Sequence, residues 1–86
     1  MKKNDIEKDL ISLMHEQTNY DVSGERKKIN VFSKTIGMQP RDFLYLIQLI
    51  ENRYNISIDG EDIEKYKLKT AEDIIELIYD KTQYAS

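Results

Sequence analysis

The chain carries a single histidine, His15, the side chain most suited to moving a proton near neutral pH. It stands between Met14 and Glu16, with no serine or threonine placed as an obvious nucleophile for it to activate. A surface or boundary position is expected for it. The absence of cysteine removes disulfides, thiolate metal ligands and thiol catalysis together. Carboxylates occur in pairs, Glu61-Asp62 and Glu72-Asp73. Adjacent acids of this kind suit helix starts, where the dipole is positive. Asp59-Gly60-Glu61-Asp62 faintly resembles the opening of a calcium loop. Such a loop alternates ligands over about twelve residues and closes on glutamate, whereas residues 59–70 close on Thr70. No Gly-rich phosphate loop occurs. These residues give no catalytic set and no metal site, so the chain is not expected to be an enzyme.

The elements that position these side chains follow from composition and period. With 86 residues the chain makes one domain, 1–86. At 40% hydrophobic and 34% charged it is too apolar for disorder and too polar for a membrane protein. The longest apolar run, Phe43 to Ile47, is five residues, against roughly 20 for a spanning helix. Met1 to Asp5 turns acidic before any apolar stretch, so no signal peptide is expected and the protein reads as cytoplasmic. The net charge of −3 divides into +1 over residues 1–40 and −4 over residues 41–86. Neither half has a nucleic-acid footprint. Arg26-Lys27-Lys28 reads as a solvated loop run.

One proline and three glycines leave few breaks, which favours helices. Ile6, Leu10, Leu13, Met14 and Gln17 recur at helical spacing and predict a helix over 5–17, with Asn4 and Glu7 as a capping box. Residues 19–37 form a long connection, with a turn at Asp21 to Gly24 and with Ile29, Val31, Phe32 and Ile36 as anchors to the core. A second helix starts after Gly37, with Pro40 in its first turn, and stops at Asn55. Its apolar set is Phe43, Leu46, Ile47, Ile50 and Tyr54. Ile56 to Ile58 is an extended link and Asp59-Gly60 a turn. Glu61 to Tyr66 is a short helix with Ile63 and Tyr66 inward. Thr70, answered by Asp73, caps a last helix with Ile74, Ile75, Leu77 and Ile78 as its stripe. The expected fold is all-α, a small four-helix bundle of three main helices and one short one, frayed at 1–3 and 82–86. Ile6, Leu10, Leu13, Phe32, Leu46, Ile47, Ile50, Tyr54, Ile74 and Ile78 are its expected core.

One stretch is more specific. Thr35 to Asp42 reads Thr-Ile-Gly-Met-Gln-Pro-Arg-Asp, and Leu46 to Ile58 then gives an amphipathic helix, an aromatic residue and a short isoleucine-bearing link. Glu61 to Lys65 is a short acidic helix, and Thr70 to Ile78 reads Thr-Ala-Glu-Asp-Ile-Ile-Glu-Leu-Ile. From Phe32 to Ile78 this order resembles the acyl carrier proteins. Their second helix opens on Asp-Leu-Gly-x-Asp-Ser-Leu-Asp, and their last carries Thr-Val-x-Asp-x-Val-x-x-Ile. Tyr66 to Lys69 holds one residue more than the family pattern.

In that family the serine carries phosphopantetheine through its hydroxyl. Pro40 stands at its position here, flanked by Gln39 and Arg41, and Gly37 and Asp42 are what remain of the motif. The resemblance therefore implies the fold without the attachment chemistry, and phosphopantetheine is not expected. Serine-less relatives of this kind resemble the acyl carrier-related proteins found beside bacterial peptide-maturation enzymes. The implied function is a docking or accessory module, a monomer whose partner is a biosynthetic or peptide-modifying enzyme, with no nucleic acid and no membrane. A carrier modified at another residue, Ser33 being the nearest serine, and an unrelated small helical regulator remain alternatives. At about 100° per residue, Arg41, Tyr45, Gln48, Leu49 and Asn52 fall away from the core side of the second helix and form the expected partner face. Tyr45 and Leu49 are its expected apolar anchors, with Arg41 at the rim.

Overall fold

Each helix starts and stops where the local sequence supplies a reason. The computed structural model describes residues 2–84. Helix α1 spans Lys3–Thr18, α2 Pro40–Tyr54, α3 Gly60–Tyr66 and α4 Ala71–Tyr84, with a 3-10 turn at Gly24–Lys28 in the first connection. Helix α2 takes Pro40 at its first position, where a missing N–H costs nothing. It ends on Asn55, whose φ of 54° is left-handed. A reciprocal box opens α4: the Asp73 N–H donates to Thr70 Oγ1 at 3.1 Å and the Thr70 N–H to Asp73 Oδ2 at 3.1 Å. Helix α3 has the same device, Asp59 and Asp62 accepting each other's N–H at 3.0 Å.

Helix α1 departs from expectation. It begins at Lys3, so Asn4 already lies inside it and the Asn4–Glu7 box does not form; no side chain caps this end. At its other end Asn19 turns left-handed, its N–H bonded to the His15 carbonyl at 3.1 Å. Lys3 and residues 82–84 are helical, while Met1, Ala85 and Ser86 lie outside the described residues.

The described residues contain no strand, and the chain is a small all-α four-helix bundle. Its radius of gyration is 11.9 Å, against about 12 Å expected for a compact chain of this length. Helix α4 is central: α1 packs mainly on it, and α3 and the 3-10 turn also rest on it. The core joins Ile6, Leu10, Leu13 and Met14 of α1, Phe43, Leu46, Ile47 and Ile50 of α2, and Ala71, Ile74, Ile75, Leu77 and Ile78 of α4. Each fully buried Leu or Ile is worth roughly 1.5–3 kcal/mol of transfer free energy.

The first connection adds Val22, Val31 and Met38 to that core, with Ile36 packed against it. It is tied down by backbone bonds: the Val31 N–H donates to the Lys69 carbonyl at 2.7 Å, and the Met38 N–H to the Val31 carbonyl at 2.8 Å. Two expected core residues, Phe32 and Tyr54, differ, as does Ile63, expected to face inward. Phe32 is 44% exposed, one side of its ring lying 5.2 Å from that of Phe43, centroid to centroid. Ile63 is 40% exposed, because α3 is only seven residues long and buries none of them fully. Tyr54 is half-buried, since its phenol must reach Asp9 at the surface.

Candidate functional site

The sequence placed the site on the outward face of α2, and the structure exposes most of that face. Pro40 fixes the entry of the helix, with the N–H groups of Asp42 and Phe43 bonded to the Gln39 carbonyl at 3.0 and 3.1 Å. Gln39, Pro40 and Arg41 are exposed, as are Tyr45, Gln48 and Asn52 further along. Leu49 is the correction. It is half-buried and packs on the core, so it is not an exposed anchor. Leu44, 63% exposed, takes that place beside Tyr45 at 46%. The wheel explains both. Leu44 lies about 100° from Phe43 on a flank with little above it, and Leu49 lies about 120° away on the other flank. The signal for Leu44 was present in the unbroken apolar run Phe43 to Ile47, whose members cannot all face inward.

The N-terminal end of α2 is braced from the first connection. The Tyr20 phenol donates to Asp42 Oδ2 at 2.7 Å, and this bond, with partial burial, raises the Tyr20 pKa. Asp42, the acid nearest Arg41, is thereby engaged and half-buried. Phe32 meets Phe43 in a tilted ring contact from the closed loop between Val31 and Met38, in which the Gly37 N–H bonds the Ser33 carbonyl at 2.6 Å. Gly37 has φ +72°, a conformation that favours glycine.

Other chemical candidates resolve into structural roles. His15 is exposed in the last turn of α1. Asp59 and Asp62 cap α3 rather than form a cation loop, and Lys81 pairs with Asp62 at 2.8 Å and lowers its pKa. Asp73 caps α4, and Glu72 is exposed. Among the described residues no group of three or more His, Cys, Asp or Glu could hold a metal ion. The Ser33 hydroxyl is shielded from solvent and has no hydrogen-bond partner among the described residues, and the Ser23 hydroxyl donates to Asp21 Oδ1 at 2.6 Å.

Two polar clamps lie away from this face. Arg53 Nε donates to Asp9 Oδ2 at 2.6 Å, and the Tyr54 phenol donates to the same carboxylate, joining α2 to α1. The guanidinium holds Asp9 below the usual carboxylate range, while burial and Asp9 push Tyr54 up. The Tyr66 phenol donates to Asp80 Oδ2 at 2.7 Å, which pushes its pKa up to about 12. This second clamp forms one wall of an open groove of about 570 Å³ between α3, the link at Asn55 to Ser57, and the C-terminal half of α4.

Fold and surface together define a small all-α helical protein with an exposed, partly apolar helix face, and no helix among the described residues is long and apolar enough to cross a membrane. No protein-family model matches the chain, and no curated protein or solved structure matches it significantly.

Proposed function

We propose that the chain is a non-catalytic acyl carrier-like module that docks to a biosynthetic or peptide-maturation enzyme through the outward face of α2. The observation that carries this reading is Leu44 beside Tyr45: two large side chains, 63% and 46% exposed, with the engaged core on the opposite side of the same helix. Such side chains, next to Arg41, are the kind that anchor interfaces. The helix order supports the resemblance: a long first connection, a second helix beginning at the motif, a short third helix and a closing fourth.

The residues present do not fit phosphopantetheine attachment. Pro40 offers no hydroxyl at the family's attachment position, and the hydroxyl of the nearest serine, Ser33, is shielded. In this reading the carrier fold is retained for its surface.

A photo-crosslinking amino acid at Tyr45, expressed in the native host, tests it. Crosslinks to one enzyme, lost when Leu44 is changed to Ser, support docking by α2. Crosslinks that form equally from exposed Glu72 on α4 would sink it. Incubation with a phosphopantetheinyl transferase and coenzyme A, read by intact mass, tests the attachment reading; no mass gain is expected.

A further inference from the structure

We propose that the surface around the N-terminal end of α2 docks an acidic protein segment bearing apolar anchors, an inference that rests on the docking reading and names the partner's chemistry. Charge is unevenly spread along this chain. Residues 26–50 hold five Lys/Arg and one Asp/Glu, a formal +4, so the remaining residues carry −7 of a net −3. The single acid in that stretch, Asp42, is half-buried and accepts the Tyr20 phenol. Lys27 is paired with Glu7 at 3.1 Å and Arg26 lies 3.9 Å from Asp21. Lys28, Lys34 and Arg41 are exposed and have no ion-pair partner among the described residues.

Topology gathers two of these charges, Lys34 and Arg41. The backbone bond from Met38 to Val31 closes the loop that carries Lys34, and the tilted Phe32–Phe43 ring contact lays that loop against the first turn of α2. Arg41 then follows within that first turn. The outward face of α2 is nearly uncharged by itself, and the loop supplies its basic rim. The same region holds Phe32, Leu44 and Tyr45, three of the four large hydrophobic residues exposed among the described ones. An apolar centre with a cationic rim is complementary to apolar side chains flanked by Asp or Glu. A polyanion such as nucleic acid fits less well, because two free cations neutralise few phosphates and the remaining −7 repels it.

The test is selection of a phage-displayed random peptide library on the folded chain, followed by binding of the selected peptides to variants. Enrichment of Asp and Glu around aliphatic or aromatic residues is expected. Affinity should fall by about tenfold or more with Lys34→Glu/Arg41→Glu, and similarly with Leu44→Ser/Tyr45→Ser. All four positions are exposed, and circular dichroism checks that both variants fold. Peptides without an acidic excess, peptides unaffected by charge reversal, or no enrichment at all would overturn the proposal. So would equal competition by heparin, which marks a polyanion site, or self-association in sedimentation that Lys34→Glu/Arg41→Glu abolishes, which makes the occupant a second copy. The Tyr45 crosslink decides the docking reading separately, since it requires contact at α2 and is indifferent to the partner's charge.

Discussion

The phenol of Tyr20 donates to Asp42 Oδ2 at 2.7 Å, joining the start of the first connection to the first turn of α2. Replacing Tyr20 with Phe keeps the ring and removes the donor, leaving a half-buried carboxylate one partner short. The expected cost is about 1–2 kcal/mol, read as a lower urea midpoint with an unchanged slope. A double-mutant cycle with Asp42→Asn should show coupling of about 0.5 kcal/mol or more. Strict additivity would show that the bond contributes nothing.

Burial separates two positions on α2. Ile50 is fully buried, so Ile50→Ala should cost roughly 2–5 kcal/mol. Leu44 is 63% exposed, and Leu44→Ala should stay within about 0.5 kcal/mol of the parent. Denaturant unfolding of both variants checks the phase of the helix. Similar losses at both would mean that α2 is rotated.

Stability should be flat across neutral pH and fall at both ends. Asp9 is held below its unfolded value, mainly by hydrogen bonding to Arg53. Its ionised form therefore stabilises the fold above about pH 4, and that contribution is lost as pH drops toward the folded pKa. Tyr66 runs the other way. Its pKa is pushed up to about 12 by Asp80, so the neutral phenol stabilises the fold below about pH 10 and that contribution is lost as pH rises toward the folded value. Asp9→Asn should flatten the acid limb of a midpoint-versus-pH curve, and Tyr66→Phe the alkaline limb. An unaltered alkaline limb in Tyr66→Phe would remove the Tyr66–Asp80 bond from the account.

Backbone strain sits between α3 and α4, where Lys67 has φ 68° and ψ −35°. This is close to a rare γ-turn conformation that L residues resist. Lys67→Gly relieves it, against the extra entropy glycine gives the unfolded chain. A net gain of about 0.5–1 kcal/mol is expected, seen as a higher melting temperature. Destabilisation would show that strain at Lys67 is smaller than the entropy glycine adds.

Restoring a hydroxyl alone should not restore carrier chemistry. Pro40→Ser leaves Gln39 and Arg41 where the resemblance calls for an acid and a leucine. Little or no phosphopantetheine should attach, by intact mass after transferase treatment. Efficient labelling would show that the transferase needs less of the surrounding surface than is proposed.

What was readable in the sequence is what side-chain chemistry encodes locally. The period of Phe43, Leu46, Ile47 and Ile50 placed α2, Pro40 and Asn55 marked its ends, and Thr70 with Asp73 marked the start of α4. Tertiary context decided the rest. Asn4 and Glu7 have capping spacing, yet α1 starts at Lys3 and takes Asn4 into its interior. Phe32 has core chemistry but only one side of it is covered. Four of the five expected partner-face residues, Arg41, Tyr45, Gln48 and Asn52, are exposed as the wheel indicated, whereas Leu49 leans on the core and Leu44 does not. The basic rim was hidden because it depends on backbone bonds around Val31, which leave no trace in residue type.

The Val31 backbone also turns one amide into a gauge of the whole fold. Its N–H is bonded to Lys69, 38 positions away, and its side chain is fully buried. Local breathing of α3, which buries no residue fully, need not break that bond. Separation of the first connection from the α3–α4 link must. In deuterated solvent the Val31 amide should therefore exchange only with global opening, while amides of α3 exchange orders of magnitude faster. A single resonance would then report the folding equilibrium of the entire bundle.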